Sequence, residues 1–388
     1  MTDRKPGIAT GLVHGGRRKD WRGRLVNVAV QRASTILFDN VEELEKARPG
    51  LGQWNYGLQG TATHWALSEA LTELEPGAAG TALYSSGLAA VTGALLALLS
   101  AGDQLFVVDS IYWPTRKFCD TILKRLGVEV VYYDPLLGPE VAEQFTERTR
   151  AILLESPGSI TMEVQDVPGI CAAARARDVV TLLDNTWATP LFFPALAAGV
   201  DISIQALSKY VGGHSDVMIG SATANAKHFP GLQRTGWDLG HAVSPDDAWL
   251  GSRSLRTLAV RLKHHEANAL KVARWLNDQT QVGLVLHPAL PDCPGHEYWK
   301  RDFKGSSGLF SFELKGADRQ ARARFIDCLT LFGIGFSWGG YESLVLPMNP
   351  TRAVSKVPAE NLVRLQIGLE DPEDLVADLA AAFDQMGR

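Results

Sequence analysis

The sequence predicts an α/β fold with a large, mainly parallel sheet and a smaller C-terminal α+β domain. Three observations predict it. Short apolar runs of strand length recur between residues 81 and 223, most of them separated by helical segments, which is the pattern of βαβ units. The chain is 388 residues long and 46% hydrophobic, more than one ordinary domain needs and ample for a sizeable core. Beyond residue 250 the regular alternation gives way to one long helical stretch followed by scattered apolar runs.

Residues 1–55 read as an extended arm, because Gly, Arg, Asn and Trp interrupt every short apolar run and no period is sustained. Residues 56–250 carry the alternation. A helical stretch from Thr63 to Glu75 stops at Pro76-Gly77. Strand candidates follow at Thr81 to Tyr84, Gln104 to Val108, Glu129 to Tyr133, Ala151 to Leu154, Val179 to Leu183, Asp201 to Ala206 and Val217 to Thr223. Helical segments lie between them, among them Leu88 to Ser100, Arg116 to Leu126 and Val167 to Ala176. Residues 251–388 form the smaller domain. A long helix (about Ser254 to Asp278) opens it, strands are expected at Ser306 to Leu314, Thr330 to Ser337 and Asn361 to Ile367, and an amphipathic helix from Glu373 to Met386 closes it.

Charged residues make up 21% of the chain and the formal net charge is -5, a balance that argues against a nucleic-acid or anionic-membrane partner. No apolar run is long enough to span a bilayer, and Met1 to Arg18 has no apolar signal region. Cys119, Cys171, Cys293 and Cys328 are scattered without a CxxC pair, so free thiols in a reducing cytosol are expected, with no metal site. His14, His64 and His241 lack ligand spacing and read as structural.

The chemistry concentrates at strand ends. Val179 to Leu183 runs into Asp184-Asn185-Thr186-Trp187, and Asp201 to Leu207 runs into Ser208-Lys209-Tyr210. In an open α/β sheet the ligand site lies at the carboxyl ends of the strands. A lysine there can form a Schiff base with the aldehyde of pyridoxal 5'-phosphate (PLP). An aspartate beside it can keep the pyridine nitrogen protonated, which makes the ring an electron sink. Tyr84-Ser85-Ser86-Gly87-Leu88 adds a small-residue turn at a helix start, a ready anion site. Taken singly these features have plainer readings: a helix cap for the turn, a strand-end cap for Asp184, a surface lysine for Lys209. No GxGxxG opens a helix and no Walker lysine follows the turn, which sets a dinucleotide enzyme aside.

Seven longer runs give the set its meaning. They are Glu155 to Val164 (ESPGSITMEV), Leu183 to Ala188, Ser203 to Tyr210, Gly213 to Asp216, Glu297 to Phe303, Ser337 to Ser343 (SWGGYES) and Arg364 to Glu370. Through them the chain, from about residue 30 to its C-terminus, resembles the trans-sulfuration (Cys/Met metabolism) family of PLP-dependent enzymes, of fold type I (aspartate aminotransferase-like). The likeness is closest to the bacterial cystathionine β-lyases. It implies that Lys209 carries the cofactor and moves protons, that Asp184 pairs with the pyridine nitrogen, and that Tyr112 stacks on the ring. It further implies that Gly87 and Leu88, through backbone N–H groups, hold the phosphate with Ser208. Tyr56 is expected to reach the phosphate of a neighbouring subunit, which makes the protein a homo-oligomer; a tetramer is the family expectation. Arg364 is expected to clamp the substrate α-carboxylate, with Ser337 and Trp338 lining that subsite. Read without the resemblance, Arg364 serves equally well as an ion-pair partner of Glu370 or Asp371.

One position departs from the family. Its members commonly carry arginine two residues after the tyrosine, where this chain has Leu58 followed by Gln59. The implied reaction is carbon–sulfur bond cleavage in an amino acid, β-elimination of L-cystathionine to homocysteine, pyruvate and ammonia in methionine biosynthesis. A broader cysteine-S-conjugate β-lyase and a cystathionine γ-lyase or γ-synthase remain alternatives, because the same lysine can serve both β and γ chemistry.

Overall fold

The computed structural model describes residues 7–386. The first six residues of the expected arm and the last two of the expected small domain lie outside them. Seven strands build the larger sheet: β1 (Gly80–Tyr84), β2 (Gln104–Val108), β3 (Glu129–Tyr133), β4 (Thr149–Glu155), β5 (Val180–Asp184), β6 (Ile202–Ala206) and β7 (Gly220–Ala224). Their order across the sheet is β1-β7-β6-β5-β4-β2-β3. Pairings β3–β2, β2–β4, β4–β5 and β5–β6 are parallel, and β7 alone runs against both its neighbours.

Burial on both faces explains the composition of the middle strands. All five residues of β2, QLFVV, are buried, and so are Val180 to Leu183 of β5 and Ile202 to Gln205 of β6. Parallel strands covered by helices on both sides have no wet face and so read as continuous apolar runs. That is why their limits in the sequence and in the fold agree to within one or two residues.

The smaller sheet has five strands: β8 (Val282–Leu286), β9 (Leu309–Leu314), β10 (Gly333–Ile334), β11 (Leu344–Met348) and β12 (Leu362–Gln366). They lie in the order β10-β11-β12-β9-β8. The apolar run Thr330 to Ser337 yields only the two-residue edge strand β10, whose residues are both exposed. Past it the chain turns away from the sheet, and Ser337 adopts φ 84°. The long helical stretch is the helix Leu258–Asn277, and a second helix, Pro245–Leu255, precedes it. Arg256 sits at the break, where its guanidinium donates to the carbonyls of Leu12 and Gly15.

Those two carbonyls belong to the arm, which is less extended than its sequence suggests. It contains the short helices Ile8–His14, Lys19–Arg22 and Val41–Lys46, and it buries Leu12. Periods this short do not register as a pattern in the sequence. No described helix is long and apolar enough to cross a membrane.

Candidate active site

The parallel strands deliver Asp184 and Lys209 to one edge of the larger sheet. Asp184 is the last residue of β5 and pairs with Ile204 of β6; β6 runs directly into the Ala206–Lys209 turn, closed by the Lys209 N–H on the Ala206 carbonyl at 3.1 Å. Thr186 holds one oxygen of Asp184 twice, from its N–H at 3.1 Å and its hydroxyl at 2.5 Å. The second oxygen has no hydrogen-bond partner among the described residues. Burial raises the Asp184 carboxyl above its ordinary range, opposed by the Thr186 hydrogen bonds and the Lys209 charge.

Lys209 donates from Nζ to the Ser337 hydroxyl at 2.6 Å, and its Nζ lies 5.4 Å from the centre of the Trp338 ring. Burial, and then the positive charge of Arg364, bring its ammonium down to about 8, against the pull of Asp184. A lysine so placed is half neutral near pH 8, more than two units below a free lysine.

Arg364, on β12, reaches the site from the smaller sheet. Its Nη2 donates to the Ser337 carbonyl at 2.8 Å, and no carboxylate pairs with it among the described residues. The ion pair with Glu370 does not form, because Glu370 accepts from the N–H and hydroxyl of Ser343 instead. Burial lowers the Arg364 guanidinium to about 10. An unpaired, largely buried guanidinium is a strong site for a carboxylate. The loop that carries Ser337 and Trp338 packs hard against the lysine turn. A Cβ on Gly339, at φ 86°, would come within 2.8 Å of the Tyr210 nitrogen.

The anion cradle also forms. Ser86 caps the helix Gly87–Leu96 by accepting from the Ala89 N–H, which leaves the N–H groups of Gly87 and Leu88 without an acceptor among the described residues. Glycine is required here by close approach. A Cβ on Gly87 would meet the Ala206 Cβ at 2.4 Å, and one on Gly220 would meet the Ser86 carbonyl at 2.1 Å. Ser208 lies beside the cradle and is already engaged: its hydroxyl accepts from the Ile219 N–H at 3.0 Å and donates to the Ile219 carbonyl at 3.2 Å. A phosphate contact from Ser208 therefore requires that proton to turn.

Tyr112 is 44% exposed. Burial of its phenol and the nearby carboxylates Glu155 and Asp184 raise its pKa, while Arg364 lowers it, so all four groups share one field. Glu155, the last residue of β4, is a residue to which the sequence reading gave no role. Its Oε2 accepts from the Tyr112 N–H at 2.7 Å, and burial, then Asp184, push its carboxyl well above the usual range. The strand-end position it shares with Asp184 was the available signal.

Tyr56 is exposed and joins none of these groups within its own chain. The residues after it turn inward. Leu58 and Gln59 line a separate cavity of about 70 Å³ with His64 and Trp65, and no residue of the lysine site lines it. His64 is structural, as expected: one ring nitrogen accepts from the Thr61 N–H and the other donates to the Val243 carbonyl.

A lysine that is partly neutral, a carboxylate with one free oxygen, a backbone anion cradle and an unpaired guanidinium match the donor set that PLP and an α-amino acid require. The family model for Cys/Met metabolism PLP-dependent enzymes matches residues 9–384. The chain belongs to that family.

The chain is 46% identical to cystathionine beta-lyase MetC of Escherichia coli (strain K12), over 99% of each chain. It is 48% identical to a putative cystathionine beta-lyase of Rhizobium johnstonii, over 97% of this chain and 96% of that one. Among solved structures, cystathionine gamma synthase from Xanthomonas oryzae pv. oryzae, in complex with aminoacrylate and cysteine, superposes with a TM-score of 0.92 at 31% identity, over 99% of each chain. The fold is thus shared by β- and γ-acting members. The enzyme is PLP-dependent, as its family is.

Proposed function

We propose that this enzyme is a carbon–sulfur lyase that cleaves L-cystathionine by β-elimination, giving homocysteine, pyruvate and ammonia with uptake of one water. The observation that carries the reading is the Lys209 amine on the Ser337 hydroxyl with the Arg364 guanidinium on the carbonyl of the same residue, together with 43–48% identity to several cystathionine β-lyases over nearly the whole chain. When bound, PLP supplies the electron sink that accepts the electrons of the substrate Cα–H bond.

The chain's own residues do the rest. Arg364 receives the α-carboxylate through its planar fork, and the Ser337 carbonyl holds the guanidinium in place. The free oxygen of Asp184 would accept from the pyridine nitrogen of PLP and keep it protonated, and Tyr112 would cover the ring. Gly87 and Leu88 would donate to the phosphate, joined by Ser208 once its hydroxyl turned from the Ile219 carbonyl. Lys209, half neutral near pH 8 and steered by the Ser337 hydroxyl, takes the α-proton. The thiolate on Cβ then leaves and takes up the proton that Lys209 has gained, and water hydrolyses the remaining three-carbon fragment to pyruvate and ammonia.

In this reading the working enzyme is a homo-oligomer, a tetramer by family habit, with Tyr56 contributed to the phosphate of a neighbouring subunit. It acts in the cytoplasm on methionine biosynthesis. Leu58 brings no charge to the phosphate, so cofactor retention leans on the backbone cradle and Tyr56.

The test is to incubate the PLP-loaded protein with L-cystathionine and identify the keto acid by mass spectrometry. Pyruvate with homocysteine is expected. Appearance of 2-oxobutyrate with cysteine would move the enzyme to γ-elimination and overturn the substrate side of the reading.

A further inference from the structure

Asp109 directly follows β2, three residues before Tyr112, and its carboxylate is fully buried. Five donors converge on it. Arg116 Nη2 lies at 2.6 Å, the N–H groups of Ala353, Val354 and Ser355 each at 2.8 Å, and the Ser355 hydroxyl at 2.9 Å. Three successive backbone N–H groups around one carboxylate make a nest. The nest belongs to residues 350–356, a strap within the segment that joins β11 to β12 in the smaller sheet.

The same strap sends a charge back. Arg352 donates from Nη1 to the Asp109 carbonyl at 2.5 Å and from Nη2 to Glu163 at 2.9 Å and to the Thr161 hydroxyl. Its side chain is 6% exposed and that of Glu163 is 3% exposed. Each partner therefore holds the other's backbone, across the two sheets.

Both ends of this contact lead to the site. On one side the turn after Asp109 is tied off by Arg116 Nη2 on the Asp109 carbonyl at 2.7 Å and by the Arg116 N–H on the Tyr112 carbonyl at 3.0 Å. Glu155 fixes the Tyr112 N–H. On the other side the chain continues from the strap through residues 357–361 into β12, which carries Arg364. Buried ion pairs are a poor source of stability, because desolvation offsets their attraction; their best-attested use is to fix register.

We propose that Asp109 and Arg352 form a clip that sets the carboxylate clamp of the smaller sheet in register with Tyr112. Both are positioning residues that act through their neighbours. The proposal rests on the reading of Tyr112 and Arg364 as site residues given above.

The experiment uses the PLP-loaded full chain and the variants Asp109→Asn, Arg352→Gln and Arg352→Lys. Trypsin reports the strap, since Lys356 is exposed at its end. A spectral titration with glycine, the smallest α-amino acid, reports the clamp without needing turnover, and the visible circular dichroism of the bound cofactor reports the ring environment. Asp109→Asn and Arg352→Gln are expected to speed cleavage after Lys356 and to weaken glycine binding by at least about tenfold each, the effect of losing one charge-assisted hydrogen bond. The cofactor dichroism should change with them, and KM for cystathionine should rise more than kcat falls. Arg352→Lys, which keeps the charge opposite Glu163, should fall between these variants and the wild type.

Faster cleavage with unchanged glycine affinity and dichroism would reduce the clip to a structural tie and overturn the proposal. Unchanged cleavage would overturn it too. If Asp109→Asn does not fold, Ser355→Ala, which removes only the hydroxyl contact, and the Arg352 variants decide the matter by the same criteria. A wild-type enzyme that binds glycine but leaves cystathionine intact would refute the proposed function while the glycine and trypsin readouts still judge the clip.

Discussion

The Lys209 amine donates a 2.6 Å hydrogen bond to the Ser337 hydroxyl, although the two residues lie in loops that follow strands of different sheets and are 128 positions apart in sequence. The Ser337 carbonyl takes Arg364 at the same time. One residue at φ 84° thus ties the proposed base to the proposed carboxylate clamp. That backbone conformation is costly for a non-glycine residue. It places the hydroxyl and the carbonyl of one residue toward two different cations.

Replacing Ser337 with alanine removes the hydroxyl and keeps the carbonyl. Substrate affinity should be nearly unchanged, and kcat should fall by about 3- to 10-fold, the equivalent of one net hydrogen bond. Steady-state kinetics on cystathionine separates the two. A rise in KM with kcat unaltered would mean that the hydroxyl contacts substrate and does not steer Lys209.

Arg364→Lys keeps a positive charge and loses the planar fork. KM should rise by about 10- to 100-fold, in line with the loss of a charge-assisted pair. PLP content, read by absorbance, should stay at the wild-type level, because the guanidinium serves the substrate side. Loss of cofactor in this variant would contradict the division of roles between the two sheets.

Lys209→Ala should lower turnover by about 10²- to 10⁴-fold or more, the range for losing a positioned acid–base group, and should abolish borohydride fixation of PLP to the chain. A variant that kept full turnover would refute the lysine mechanism.

How much of this site the sequence carried depends on what each residue needs. Asp184 and Lys209 were legible because each ends a strand whose neighbours are buried on both faces, so an apolar run marks its position. The Ser337 contact was not legible as geometry. Thr330 to Ser337 has the composition of a strand, yet only Gly333 and Ile334 pair, and the turn that aims Ser337 depends on packing against Lys209 and Tyr210. Strands β8 and β11 escaped for a related reason. Their burial is partial and uneven, so they show neither a clean alternation nor a continuous apolar run. Asp109 was hidden most deeply, since its partners are backbone N–H groups of a strap more than 240 residues away.

The rate at which PLP loads onto the apoenzyme should depend on pH through Lys209. Only the neutral amine attacks an aldehyde, and the ammonium is lowered to about 8 by burial and by Arg364. Below that value the loading rate should rise about tenfold per pH unit, and above it the rate should level off. The sign of each neighbour gives the control. Arg364→Ala removes a like charge and should move the midpoint up. Asp184→Asn removes an opposite charge and should move it down. Stopped-flow absorbance across pH 6 to 10 (about the range that brackets the midpoint) reads all three, and a midpoint that ignored both substitutions would mean that Lys209 does not share a field with them.

Glu75 offers a test of the fold that does not involve turnover. Its side chain ends the helix Ala62–Leu74, is 2% exposed, and accepts from the Ser203 hydroxyl of β6 at 2.7 Å. Burial pushes its carboxyl up to about 7 from an ordinary 4.5, despite the help of Ser203 and of backbone donors. The folded state therefore holds its proton more tightly than the unfolded state does. Between those two values the native protein binds more protons, so stability falls as pH rises, and the loss levels off above about 7. At about 1.4 kcal/mol per pKa unit the full swing is on the order of 3 kcal/mol. Glu75→Gln keeps an acceptor for Ser203 and cannot ionise, so its urea-unfolding free energy should lose that slope and exceed the wild type at about pH 8 while matching it below the unfolded value of 4.5. The same slope in both proteins would place the titrating group elsewhere. It would also mean that Ser203 and the backbone around it stabilise the Glu75 carboxylate well enough to offset the burial that the helix imposes.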